Sequence, residues 1–163
     1  MKKYIPLDFD EKGKVILGRE KNTPTPNGTI PAIFIPGGSD EGKQGLKSIS
    51  ISPAITTTPA LDSLFPIYYD DLTEEEKEDG KSLHVDTGGE LEDTDTYTIT
   101  VTPTSEWYAF NPNSGITGGK GEPITFERKP SHGELSVSCG ASSGQDLDEA
   151  DVLYVSLSIG TGN

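Results

Sequence analysis

Seven consecutive residues, Thr96-Tyr97-Thr98-Ile99-Thr100-Val101-Thr102, alternate without a break between threonine and an apolar side chain. A period of two in β-favouring residue types specifies a strand with one face buried and the other wet. Trp107, the only tryptophan, follows shortly. Asn111 to Gly121 is then dense in turn formers, and Ile124-Thr125-Phe126-Glu127 reads as a second strand that closes a hairpin-like unit. Two strands cannot hold themselves together in water. The face made by Tyr97, Ile99, Val101 and Phe126 therefore requires a second sheet over it, which specifies a β-sandwich.

Composition agrees with that demand. Only 31% of the 163 residues are apolar, while 19 glycines and 12 prolines punctuate the chain. Short strands and many turns suit this balance, and helix should stay under about one fifth where an ordinary domain holds about a third. The formal charge is −14. Such a surface repels a phosphate backbone, which argues against nucleic acid as a partner. The acids cluster at 70–79, 90–95 and 146–151, where solvated loops are expected. Cys139 is alone and forms no internal disulfide; it shares one face of Leu135-Ser136-Val137-Ser138-Cys139 with two apolar residues and is expected to be a buried structural thiol.

Residues 1–29 read as an extended N-terminal arm and residues 30–163 as the sandwich domain. Pro6, Asp8, Asp10 and Glu11 break up any signal-peptide core, and no run approaches the roughly 18 apolar residues of a membrane span. A chain kept in the cytosol, or leaving it without a classical signal, is expected, with no membrane partner. In the arm, Val15-Ile16-Leu17 is the one short apolar run, expected as a strand that binds a neighbouring chain, the alternative being that the arm covers an edge of its own sheet. Thr23-Pro24-Thr25-Pro26-Asn27-Gly28 reads as a stiff linker. Gly37 to Lys43 has the G-x-x-x-x-G-K spacing of a phosphate-binding loop. Gln44 lacks the hydroxyl that would hold magnesium, Asp40 and Glu41 place negative charge in the cradle, and Ser48 to Ser52 alternates like a strand where a helix is needed. A plain turn is expected.

Further along, Ile55 to Thr58 is expected to prolong the strand beyond Pro53, and Leu61 to Tyr69 to form core. One short surface helix is expected after Thr73, which stands at capping-box spacing from Glu76, with Gly80 as its stop. Ser82 to Val85 reads as a short strand, and Leu135–Cys139 and Val152–Ile159 as the arms of a C-terminal hairpin.

No constellation announces catalysis. His84 and His132 lie far apart and neither belongs to a metal or triad pattern, so no catalytic residue, cofactor or metal is expected. Asp146, Asp148, Glu149 and Asp151 carry oxygen ligands for calcium but lack the glycine and the twelfth-position glutamate of a dedicated loop. Trp107 is expected in the core. The alternative is a carbohydrate-binding or adhesion module in which Trp107 and Tyr108 stack on a sugar and Asn111 and Asn113 bond its hydroxyls.

The run from the first strand through Trp107, Asn111-Pro112-Asn113-Ser114-Gly115, Gly118, Gly119 and Gly121 to the strand Ile124–Glu127 resembles the BACON domain. That family is an immunoglobulin-like β-sandwich of Bacteroidetes proteins and their phages. The resemblance spans about residues 96–127, and the family's final strand motif ending in Gln is missing here. It implies an immunoglobulin-like fold. With an acidic, β-rich chain lacking a signal, it also implies a non-enzymatic virion protein, a capsid decoration or head-auxiliary protein assembled in the host cytoplasm. Its partners would be the major capsid protein and other virion proteins in many copies, with a cell-surface glycan as the alternative ligand.

Overall fold

The alternating segments pair as strands, and their order in space decides which side chains meet. The structure, a computed structural model, describes residues 42–161 and the backbone of 7–9 and 15–17. Among the described residues strand accounts for 48% and helix for 11%, so helix stays below one fifth there.

The chain divides into two compact units, Met1–Ser39 and Asp40–Asn163. In the first, β1 (Leu7–Phe9) and β2 (Val15–Leu17) pair antiparallel with Leu7 opposite Leu17 and Phe9 opposite Val15. The expected boundary between residues 29 and 30, the linker at 23–28 and most of the turn at 37–43 lie outside the described residues.

The second unit contains β3 (Gly45–Ser52), β4 (Ile67–Tyr68), α1 (Glu74–Asp79), β5 (Lys81–Asp86), β6 (Tyr97–Pro103), β7 (Tyr108–Asn111), β8 (Ile116–Lys120), β9 (Ile124–Arg128), β10 (Leu135–Ser142) and β11 (Val152–Gly160). One sheet runs in the order β4-β3-β6-β9, the other β5-β11-β10-β7-β8. Every pairing is antiparallel except β5 with β11, which is parallel. A strand at Gly45–Ser52 occupies the place where a phosphate-binding loop needs a helix.

Strand β6 is buried at every second residue, as its alternation demands, with Ile99 and Val101 fully enclosed. From the other sheet Val137, Cys139, Leu153 and Leu157 complete the core around Trp107. Each such aliphatic side chain contributes about 1.5–3 kcal/mol when taken fully out of water, so the sandwich rests on its two inner faces.

Three expectations need correction. The segment 111–121 is not one long loop. Tyr108–Asn111 and Ile116–Lys120 form a hairpin that crosses to the opposite sheet, so β6 and β9 pair, as expected, without being consecutive. Glycine-rich composition hid β8; its Gly118 lies where a Cβ would strike the Ile124 side chain at 2.5 Å, so the glycine permits a close approach. Leu61–Tyr69 yields two 3-10 turns and a two-residue strand, with Ile67 buried and Leu61, Leu64, Phe65 and Tyr69 packed half-buried against the core. Pro66 brings no N–H to a ladder, which limits the strand. Ile55–Thr58 contributes one isolated bridge, Thr58 with Asp86, in place of a continued strand.

Helix α1 forms as its end signals dictate. Thr73 Oγ1 accepts from the Glu76 N–H at 3.0 Å while Glu76 Oε1 accepts from the Thr73 N–H at 3.0 Å. That backbone bond, with Lys81 at 3.0 Å, lowers the Glu76 pKa. Gly80 ends the helix at φ +96°, a conformation that other residues resist. None of its residues is buried, which matches a surface excursion between strands.

Candidate functional site

Trp107 stands at the turn between β6 and β7. Its N–H donates to the Thr104 carbonyl at 3.1 Å and its own carbonyl accepts from Gly121 at 2.7 Å, which fixes the backbone on both sides. The ring is 0% exposed and meets the Tyr69 ring at 5.6 Å between centroids. Its Nε1 has no hydrogen-bond partner among the described residues. A sugar-stacking platform needs an exposed ring face, so burial takes Trp107 out of the carbohydrate alternative and makes it the expected core anchor.

Asn111 is likewise buried. Its Oδ1 accepts from the Asn113 backbone N–H at 3.0 Å and from Arg128 Nη2 at 3.3 Å. Arg128 belongs to β9 and Asn111 to β7, so this bond ties one sheet to the other. The guanidinium also donates to the Glu127 carbonyl at 2.9 Å and lies 4.7 Å from the Phe126 ring centroid. Asn111 is thus a structural clasp, and of the four residues named for sugar binding only Asn113 is exposed, with Tyr108 half-buried. Sequence alone gave no sign of Arg128; the tie appears only once the strands are assigned to different sheets.

Among the described residues the two histidines and the acidic loop lie at separate places in the fold. His84 Nε2 lies 2.8 Å from Asp86 Oδ1 on β5, an exposed pair. His132 occupies a tight turn at φ +58° beside Gly133 at φ +78°, the two left-handed positions of a two-residue reversal between Ser131 and Glu134. Asp146, Asp148, Glu149 and Asp151 are all exposed, and the Asp146 carboxylate is turned to the Asp148 backbone N–H at 3.2 Å. Among the described residues no group of three or more His, Cys, Asp or Glu is placed to hold a metal ion. Cys139 is enclosed, as expected, and burial pushes its thiol up to about 12. Among the same residues no helix is long and apolar enough to cross a membrane.

Two edges carry the remaining features. Val15–Leu17, the residues expected to bind a neighbour, do form a strand, and among the described residues that strand pairs only with Leu7–Phe9. In the sandwich, β4 pairs with β3 only at Gly45 and Leu46, so the outer edge of β3 from Ser48 to Ser52 has no strand beside it among the described residues. A groove of about 410 Å³ opens there, with Ile49, Ile51, Ile55 and Leu61 in its walls. The charged tips of the other outer strands are absent from this edge.

Comparison with protein-family models, with characterised proteins and with solved structures finds no match. The functional reading therefore rests on the residues themselves.

Proposed function

We propose that the chain is a non-enzymatic structural protein of a phage particle, a decoration or head-auxiliary protein whose sandwich is immunoglobulin-like and whose N-terminal residues bind the shell. The observation that carries this reading is the division of labour along the chain. A small acidic sandwich forms one compact unit, and Val15–Leu17 forms an apolar strand in a separate N-terminal unit. A decoration protein needs those two parts, a rigid body to display and an attachment element that can add to a neighbour's sheet.

The connectivity supports the immunoglobulin-like reading. Among the described residues of the sandwich, β3 lies in one sheet, antiparallel to β6, and the chain crosses to the other sheet as β5, parallel to β11. The β7–β8 hairpin then joins β10 in that second sheet, and the chain returns to the first as β9. Two packed sheets whose connections cross from one sheet to the other are features of that sandwich class.

Deletion of residues 1–22 tests the proposal. The variant should keep the buried-tryptophan fluorescence of a folded sandwich and be missing from purified particles, in which the full chain is detected by mass spectrometry. Loss of the fold on deletion, or particles that take up the shortened chain as well as the full one, would refute it.

A further inference from the structure

We propose that two copies of this chain associate through the outer edges of β3, which pair antiparallel about a two-fold axis at Ser50. The five residues Ser48-Ile49-Ser50-Ile51-Ser52 read the same in both directions. A two-fold interface must be self-complementary, with each contact made twice. Centred on Ser50, antiparallel pairing sets Ser48 opposite Ser52 and Ile49 opposite Ile51, so that like meets like at every position. A shift of the centre by one residue sets Lys47 opposite Ile51, or Ile49 opposite Pro53.

The edge is bounded to this length. Strand β4 occupies it at Gly45 and Leu46, and Pro53, which has no N–H to donate, follows its last residue. Lys47 and a register irregularity between Leu46 and Ser48 stand at the start of this edge, and from Ser48 to Ser52 it carries no charge, proline or glycine. Strand β9 carries Glu127 and Arg128 at its end, β8 two glycines and Lys120, and β5 Lys81 and Asp86.

Charge says which partner this is. Copies of a chain with net charge −14 repel one another over most of their surface. Gly42 to Leu61 is the longest run in the chain without Asp or Glu, and it holds two lysines, Lys43 and Lys47. The groove beside β3 is walled mainly from this run. Two acidic copies therefore approach most readily across this face, where Ile51 and Ile55 are only half covered. The pairing would join two four-stranded sheets into one.

The test uses the full chain in sedimentation or light scattering over a dilution series at low and high salt. The expected mass at high concentration is about twice 17.4 kDa. Salt should favour association, because it shortens the reach of the repulsion from about 10 Å at 0.1 M to about 3 Å at 1 M. Ser50→Lys places two ammonium groups face to face at an exposed position and should leave a folded monomer. Ser156→Lys, exposed on β11 between two strands, should leave the association unchanged. Under mild oxidation Ser50→Cys should link two copies covalently, whereas Ser48→Cys should not. A wild-type monomer at every concentration and salt, as expected if the chain's own remaining residues cover the edge, would overturn the proposal. So would a Ser50→Lys chain that still associates, or equal linking by both cysteine variants.

Discussion

Replacing Gly140 by alanine should be among the most damaging single-methyl changes in the sandwich. Gly140 lies in β10, opposite Tyr154 of β11 on one side and Phe110 of β7 on the other. With no side chain between them, the two aromatic rings meet across the glycine, edge to face, at 5.4 Å between centroids. A Cβ at Gly140 would fall 2.1 Å from the Leu153 carbonyl oxygen and 2.6 Å from Phe110 Cζ. The ring has room to swing only at the expense of its contact with Tyr154. The carbonyl belongs to Leu153, which pairs with Ala141 in the β10 ladder, and it cannot move without disturbing that ladder. Overpacking of this kind costs about 1–3 kcal/mol. Losing the aromatic contact adds about 0.5–1.5 kcal/mol. A unit of this size holds roughly 6–18 kcal/mol in total, so the variant should still fold. It should melt on the order of 10 °C lower. Trp107, the single buried tryptophan, lets intrinsic fluorescence report on the sandwich alone. A combined Gly140→Ala and Phe110→Leu chain should recover part of the loss if the ring is half of the problem. A Gly140→Ala midpoint within about 2 °C of the parent would refute the reasoning, because it would mean that β11 can yield where its ladder says it cannot.

Two further outcomes follow from buried polar groups. Asn111→Ala should lower the unfolding free energy by about 1–3 kcal/mol, since it leaves Arg128 and the Asn113 N–H without their acceptor, whereas Asn113→Ala should cost almost nothing because only its backbone takes part; equal losses in urea unfolding would contradict this. The urea midpoint should fall in alkali, because Tyr97 is raised above 10.0, by burial first and Asp95 second, and Cys139 above 9.0 by burial. Both are neutral acids held protonated by the fold, so their stabilisation is whole below those ordinary values and is lost as pH rises through the folded ones. A combined Tyr97→Phe and Cys139→Ala chain should flatten the decline, and an unchanged slope would count against it.

The strands legible in the sequence were those whose period reports one wet and one dry face. Ser48–Ser52, Leu135–Cys139 and Val152–Ile159 lie wholly in strands, and Thr96–Thr102 does so from Tyr97 onward. The helix was legible because its signals are local, Thr73 and Glu76 bonding across three residues and Gly80 beyond them. What escaped were non-local facts. The β7–β8 hairpin was concealed by Gly118 and Gly119, whose use is a close approach to a strand that no local pattern names. The parallel alignment of β5 beside β11 depends on a crossover, and a four-residue pattern in Ser82–Val85 carries no direction. Of the candidate site, the burial of Trp107 followed from its being a lone large aromatic in a sandwich, but the clasp between Asn111 and Arg128 did not, since 17 positions separate two residues that only the sheets bring together.

The parallel pairing of β5 with β11 also sets a timetable. Synthesis proceeds from the N-terminus, and Asp86 is made 66 positions before Val152. At roughly 5–20 residues per second the interval is about 3–13 s, far longer than a hairpin needs to form. Throughout it β11, the strand that pairs with β5 among the described residues, has yet to be made. Lys81, His84 and Asp86 suit a strand that must wait exposed, because charged and polar tips discourage neighbouring nascent chains from pairing there first. The sandwich therefore closes late and from its last strand, with β11 sliding between two partners, β5 and β10, that are already in existence.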